Sequence, residues 1–331
     1  MAKPLSTGVF IFDGFPMSCL TSMIEPLRAA NEISGVSAFD WCLVAESLGK
    51  VASSARVEFD PNCALAEVKD LDFLILLSPP TATFNDNRSP GRLRTLQRHG
   101  LKFGAVSGGV FPLVRAELAG KAPIAVHWCY SAAFDAEFPD SLSSDRVIEI
   151  SAGLMSAAGA AAAFDLSLHL IEERLGAGVA TEVACWFQHP VMRREGVVQS
   201  VPSLEGNADG AQLSPLVAQA AQIFAEHIKE PITIAAVADI IGMTPRHIER
   251  AFKKSTGLSP TKYYRKLRMQ AARQIVLYTN DQISDVAAAV GYYSTQAFGK
   301  HYRNAFGVTP REDRNRINLF RVKGNLSVPS V

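Results

Sequence analysis

Long apolar runs are missing from this 331-residue chain. The longest uncharged apolar stretch, residues 150–164, covers 15 positions of mostly Ala and Gly before Asp165 ends it, short of the roughly 20 residues a bilayer-spanning helix needs. No membrane partner is therefore expected. The N-terminus, Met1-Ala2-Lys3-Pro4, reaches Asp13 after one short apolar run, without the apolar region and small-residue cleavage site of a secretory leader, so a cytoplasmic location is expected. Cysteine is sparse: Cys19, Cys42, Cys63, Cys129 and Cys185 are odd in number, scattered and never two residues apart, which argues against a disulfide framework or a Cys-based zinc site. His99, His127, His169, His189, His227, His247 and His301 show no metal-ligand spacing. Gly104 to Gly109 lacks the Lys and spacing of a phosphate loop. Neither a metal nor a cofactor is expected.

What is present points to a globular protein. The chain is 48% hydrophobic and 20% charged, which excludes disorder and collagen-like composition. At roughly 100 to 200 residues per domain, its length predicts two domains. A net charge of +1 hides an asymmetry: residues 213–331 hold 17 Lys/Arg against 8 Asp/Glu, net +9, leaving 16 against 24, net −8, for residues 1–212. A basic domain following an acidic one raises nucleic-acid binding, because phosphate neutralisation by Lys and Arg releases counterions. A merely solvated basic face would carry the same charge.

The stretch at 193–215 is rich in Gly, Pro, Ser and Asn without sustained periodicity, so a linker is expected at 196–212, between domains at 1–195 and 213–331. In the first domain, short β-branched runs at 9–12, 41–45, 73–77 and 103–106 read as strands. Helical patterns near 22–33, 91–100, 110–118 and 157–175 separate them, which predicts an α/β sheet covered on both faces. Asp165 and His169, at i and i+4, are expected to pair on one helix, and the Ala-rich 157–163 to be close-packed helix. Beyond the linker no strand pattern remains.

The second domain repeats itself. Sliding Ile234-Ala235-Ala236-Val237-Ala238 forward by 49 brings it onto Ile283-Ser284-Asp285-Val286-Ala287 and Gly242 onto Gly291; a shift of 50 puts Phe252 on Tyr302, Gly257 on Gly307 and Pro260 on Pro310. One residue inserted in the second turn explains the change of register. Each copy reads as a small-residue helix, a Gly turn, an N-cap hydroxyl (Thr244; Ser294) and a second helix ending before Gly257 or Gly307. This is helix-turn-helix grammar: Gly permits the tight turn, and the capped second helix can lie in a major groove. A pair of structural helical hairpins would also bury Val237, Ile241, Ile248 and Phe252, but does not account for Arg246, Glu249, Arg250, Lys253 and Lys254 in one copy and Gln296, Lys300 and Arg303 in the other.

These residues, with the linking segment Tyr263-Tyr264-Arg265-Lys266-Leu267-Arg268 and the closing Phe306-Gly307-Val308-Thr309-Pro310, resemble the two-motif DNA-binding domain of AraC/XylS-type regulators over about 100 residues. The resemblance implies double-stranded promoter DNA as partner, with two reading helices in successive major grooves about 34 Å apart. Base-facing candidates carried over from it are Arg246, Glu249 and Arg250, then Thr295, Gln296 and Lys300. Arg suits guanine O6/N7, Gln adenine N6/N7 and Glu cytosine N4. Lys253, Lys254 and Arg303 would hold phosphates.

In the first domain, Phe103-Gly104-Ala105-Val106 runs into Ser107-Gly108-Gly109-Val110 and a helical pattern, with His127-Trp128 some twenty residues later. The arrangement resembles the class I glutamine-amidotransferase-like superfamily of the PfpI type, implying a flavodoxin-like sandwich with a nucleophile elbow at Ser107. Departures from that pattern argue against catalysis. The elbow holds Ser where the family has Cys, an alcohol far harder to activate than a thiol. Pro79-Pro80 stands in place of the strand-end Gly pair and gives no N–H to an oxyanion. The family's early acidic residue has no clear counterpart near Ser18 and Cys19; Glu25 is close, in Glu25-Pro26-Leu27-Arg28. A ligand-sensing domain is therefore expected, the alternative being an amidase or glyoxalase-like enzyme using Ser107 and His127.

The pairing of this domain with an AraC-type reader is similar to regulators answering to carnitine, glycine betaine or arginine, a likeness carried by residues 25–31, His127-Trp128 and 165–169. It implies a small nitrogenous effector, a homodimer and an activator working with RNA polymerase. Ligand-binding candidates are Ser107, His127 and Trp128. Trp128 offers either a π face to a cation or a packing indole, and His127 either orients a carboxylate or caps a strand.

Overall fold

A computed structural model describes residues 3–151, 153–189, 192–199, 213–278 and 281–315. The chain divides into two compact units, the described part of the first ending at Gln199. Seven strands form the main sheet of that unit: β1 (Leu5–Ile11), β2 (Phe39–Ala45), β3 (Cys63–Ala64), β4 (Phe73–Ser78), β5 (Lys102–Ser107), β6 (Ile148–Ser151) and β7 (Leu154–Ala157). Their order is β6-β7-β5-β4-β1-β2-β3, all parallel except β6, which runs antiparallel to β7. β4 is buried along its whole length, as a central parallel strand covered on both faces must be. Because side chains alternate across a strand, Val9, Ile11, Phe73, Ile75 and Leu77 join one core with the helices α1 (Met17–Ser34), α5 (Ala160–Leu175) and α6 (Ala177–Trp186). Phe10, Leu74 and Leu76 are equally buried at the alternate positions. Two further helices, α2 (Ser89–Arg98) and α3 (Val110–Arg115), are tied together by Arg94 and Gln97 donating to the carbonyls of Ala116 and Leu118.

Three expectations are corrected here. Residues 154–157 are strand β7, and the helix begins only at Ala160; the small side chains of this stretch fit a buried strand held between β5 and β6. Asp165 does not pair with His169, which meets Glu173 at 3.5 Å instead. Asp165 is fully buried, and a buried carboxylate needs several donors: His189 Nε2 at 2.9 Å, Arg193 N at 3.0 Å and Arg193 Nε at 2.8 Å. Residues 197–199, expected in the linker, pack on the first unit. Val198 bridges Arg146. The Gln199 side chain donates to the carbonyls of Val126 (2.8 Å) and Arg146 (3.0 Å) and accepts from Trp128 N (2.9 Å). The rest of the expected linker lies outside the described residues.

The second unit is helical: α7 (Pro215–Glu226), α8 (Ile234–Ile241), α9 (Pro245–Thr256), α10 (Pro260–Tyr278), α11 (Ile283–Ala289) and α12 (Thr295–Phe306). It has two cores. Val217, Phe224, Val237, Ile248 and Phe252 pack with Tyr263, Tyr264 and Leu267 from the first half of α10. Val286, Val290, Phe298 and Tyr302 pack with Met269, Ala272, Ile275 and Val276 from its second half. One 19-residue helix, about 28 Å long at 1.5 Å per residue, thus belongs to both cores and sets their spacing.

Candidate nucleic-acid interface

Each reading helix is started by the hydroxyl the sequence supplies. Thr244 Oγ1 accepts from His247 N at 3.3 Å and Ser294 Oγ from Ala297 N at 3.3 Å, each satisfying a helix-end N–H. The preceding turns use Gly242 (φ +71°) and Gly291 (φ +73°) in the left-handed region. At Gly291 a Cβ would come within 2.5 Å of the Pro231 ring, so glycine is required there twice over. In α9 the positions Ile248, Phe252 and Thr256 face the core, leaving Arg246, His247, Glu249, Arg250, Lys253 and Lys254 exposed along one concave surface. In α12, Phe298 and Tyr302 face inward, while Thr295, Gln296, Lys300, Arg303 and Asn304 are exposed. The repeat thus places Arg246, Arg250 and Lys253 opposite Gln296, Lys300 and Arg303, on the 3–4-residue spacing that aligns side chains on one helix face.

All eight predicted DNA-facing residues lie on these two outward faces. His247 and Asn304 lie there too and were missed: an isolated His and a helix-end Asn carry no signal until the helix phase is known. Lys253 Nζ donates to the Gly257 carbonyl at 3.1 Å, and Arg303 lies 3.8 Å from Glu312. Exposed pairings of this kind are weak and leave both cations able to turn to phosphate. Tyr292, at the position of Met243 in the first turn, also has a structural role. Tyr292 packs on Phe298 and under the Arg268 guanidinium, 4.3 Å from its ring centre, while Arg268 donates to the carbonyls of Val290 (2.8 Å) and Gly291 (2.7 Å). The linking helix is thereby latched to the second turn.

In the first unit, Ser107 has φ +55° at the junction of β5 and α3, the strained strand-to-helix turn of an elbow. Gly108 and Gly109 are required there, since a Cβ on either would come within 2.4 Å of the Ser78 carbonyl or 2.0 Å of that of Leu76. The Ser107 hydroxyl is fully buried and has no hydrogen-bond partner among the described residues. His127 is turned elsewhere: its Nδ1 lies 2.9 Å from Cys129 Sγ. Burial lowers the His127 pKa to about 4 and pushes the Cys129 thiol up, so both are neutral at pH 7. The Trp128 ring is 5.2 Å from that of His127. Among the described residues no base touches Ser107, and Glu25 is paired with Arg28 at 2.8 Å; this is not a nucleophile–base arrangement.

A cavity of about 340 Å³ opens at the carboxyl ends of β1, β2 and β4, between Asp13, Glu46, Lys50, Pro79, Thr81 and Asn85. Ser107, His127 and Trp128 do not line it. Connections leave β1 in one direction across the sheet and β4 in the other, which makes this the switch point where open α/β sheets bind ligands. Nothing in the sequence marks it, because its walls come from three loops whose convergence depends on strand order. Among the described residues no helix is long and apolar enough to cross a membrane.

Two capped reading helices on a shared scaffold, carried with an α/β unit, define a DNA-binding regulator. The chain matches the helix-turn-helix domain family over residues 237–316. It is 33% identical over 319 residues to the HTH-type transcriptional regulator ArgR of Pseudomonas aeruginosa, covering 95% of this chain and 94% of that one. It is 30% identical over 314 residues to the HTH-type transcriptional regulator GbdR of the same species, covering 94% and 84%. An AraC family transcriptional regulator from Pseudomonas putida shares the fold, with a TM-score of 0.51 and 21% identity over 56% of this chain and 100% of that one. The chain belongs to the HTH-type transcriptional regulators, with a DNA-binding domain of the AraC type; its activity is regulation, not catalysis.

Proposed function

We propose that this regulator is an activator of genes for the catabolism of a small nitrogenous metabolite, a quaternary amine or an amino acid, and that it acts in the cytoplasm as a homodimer together with RNA polymerase. The outward faces of α9 and α12 carry the reading: with the cores and caps accounted for, Arg246, Glu249, Arg250, Thr295, Gln296 and Lys300 are left to meet base edges, and Lys253 and Arg303 to meet phosphates. The effector binds at the carboxyl end of the first unit's sheet, where Ser107 keeps a buried hydroxyl without a partner among the described residues; His127 and Trp128 are the further candidates. A buried, unsatisfied hydroxyl costs free energy that a ligand can recover. Binding shifts the regulator only insofar as the ligand prefers the activating arrangement. Dimerisation doubles the number of half-sites read and so multiplies specificity.

The test has two arms. Selection of duplexes from a random pool by the whole chain is expected to yield a sequence preferred over scrambled competitor by a factor of a thousand or more, on the order of 4 kcal/mol. A thermal-shift screen of amino acids and quaternary amines is expected to raise the first unit's melting temperature with one class only, and Ser107→Ala to reduce that shift. Equal affinity for selected and scrambled duplex would sink the reading.

A further inference from the structure

The outward cations of α9 and α12 are accounted for by the reading helices, but Lys262, Arg265 and Lys266, exposed on α10, lie on neither. Arg265 is exposed on α10 and makes no hydrogen bond or ion pair among the described residues. Arg268, three residues on, is committed to the latch over Tyr292. The Tyr292 hydroxyl in turn meets His301 Nδ1 at 2.9 Å, and His301 sits next to Lys300 on the flank of α12 that turns toward α10. We propose that Arg265 and His301 form a seat for one DNA backbone phosphate beside the second reading helix, leaving Lys300 free to reach the bases.

The groups facing His301 are Arg265 and Arg268 from α10, Tyr292 from the turn and Lys300 from α12. Burial and then the three cations depress its pKa, and no carboxylate is among the groups acting on it. A flank that gathers cations without a compensating acid is unfavourable until an external anion arrives. Tyr292 can donate to Nδ1 of the neutral ring, which leaves Nε2–H to donate to a phosphate oxygen. The first motif has no such seat: Ala251 stands where the second has His301, and Met243, which has no hydroxyl, stands where the second has Tyr292.

A phosphate in the seat offsets the cations and raises the pKa of His301, so the complex takes up a proton. Affinity then increases as pH falls through the bound-state pKa and levels off below the free-state value, which lies under the ordinary histidine pKa. The inference rests on the reading that α12 enters a groove.

The experiment is fluorescence anisotropy of the full chain on a duplex selected by it from a random pool and on a scrambled duplex, across salt and between about pH 5 and pH 8. Arg265→Gln is expected to reduce the slope of log affinity against log salt by about 0.9 and to weaken both duplexes alike, with the thermal melt unchanged. His301→Gln, made in a His247→Gln background to remove the other histidine on a reading face, is expected to abolish the remaining pH dependence. An unchanged salt slope in Arg265→Gln, or a loss confined to the selected duplex, overturns the seat. Should the His301 variant fail to fold, the Arg265 arm still decides. Failure of the parent chain to prefer its selected duplex is a different result, and removes the underlying reading instead.

Discussion

The two helix-turn-helix motifs share a frame but differ in what they present. The first reading face carries Arg246, Arg250, Lys253 and Lys254; the second carries Gln296, Lys300, Arg303 and Asn304. The first is built to hold a polyanion, and the second adds neutral amides that contribute to affinity only when the right base edge lies opposite. Duplication has thus yielded two copies that differ in what they present: four cations on the first outward face, two cations and two amides on the second.

The largest effect that tests this difference comes from removing each motif's core. Phe252 and Phe298 are both fully buried, and truncation of a buried Phe costs about 3–5 kcal/mol. Phe252→Ala is expected to abolish binding to any duplex, whereas Phe298→Ala leaves weak binding that no longer prefers the selected sequence. Urea melts give the stabilities and competition titrations the preference. Equal residual binding in both variants would break the comparison.

Base contacts come next. Arg250→Ala is expected to relax specificity at one base pair by about 1–3 kcal/mol. Lys300→Ala, its repeat partner, should relax a different base pair, roughly one helical turn away. Selection repeated with each variant locates both positions. If the two variants relax the same position, the helices do not occupy successive grooves.

The reading faces were legible in the sequence because the motif is local. A duplicated Gly turn, an N-cap hydroxyl and a 3–4-residue apolar spacing together fix the phase of α9 and α12, and the phase fixes which residues face out. In the first unit the apolar and β-branched runs at 9–12, 41–45, 73–77 and 103–106 fall on β1, β2, β4 and β5. Strand β7 was hidden because Ser156 and Ala157 carry no strand propensity of their own, and β5 and β6 impose the conformation. Asp165 was misassigned because a spacing of four is compatible with pairing but does not require it; the actual partners, His189 and Arg193, lie more than twenty residues away. Gln199 was lost inside polar sequence that reads as linker, although its amide ties the backbone of Val126 and Trp128 to that of Arg146. The strand-end cavity depends on topology and has no local signature at all.

Phosphate contacts give a smaller and differently shaped effect. Lys253→Gln and Arg303→Gln are each expected to lower the salt slope by about 0.9, about 3.5-fold in affinity over a fourfold change in salt, and to weaken selected and scrambled duplexes equally. Lys254→Gln should do the same in the first motif, and its repeat counterpart Asn304 has no charge to lose. A total slope loss greater for first-motif variants than for second-motif variants would sharpen the division of charge between them.

The smallest effect concerns the helices themselves. The first reading helix begins with Pro245, whose fixed φ is already helical, and has Glu249 at the position that aligns with Gly299 in the second. Gly299 lies inside α12, where an added Cβ would meet nothing within 4 Å, so no packing compels glycine there. A glycine inside a helix costs roughly 0.5–1 kcal/mol relative to alanine through backbone entropy. Gly299→Ala is therefore expected to stabilise the second unit by about that amount in urea melts. If α12 completes its ordering only in the groove, the same substitution also tightens binding, because part of the ordering cost has been met beforehand. Stabilisation without tighter binding would mean that α12 is already fully formed in the free protein. Destabilisation would mean that a flank left open in the free fold is in fact closed, and that the second motif is as rigid as the first.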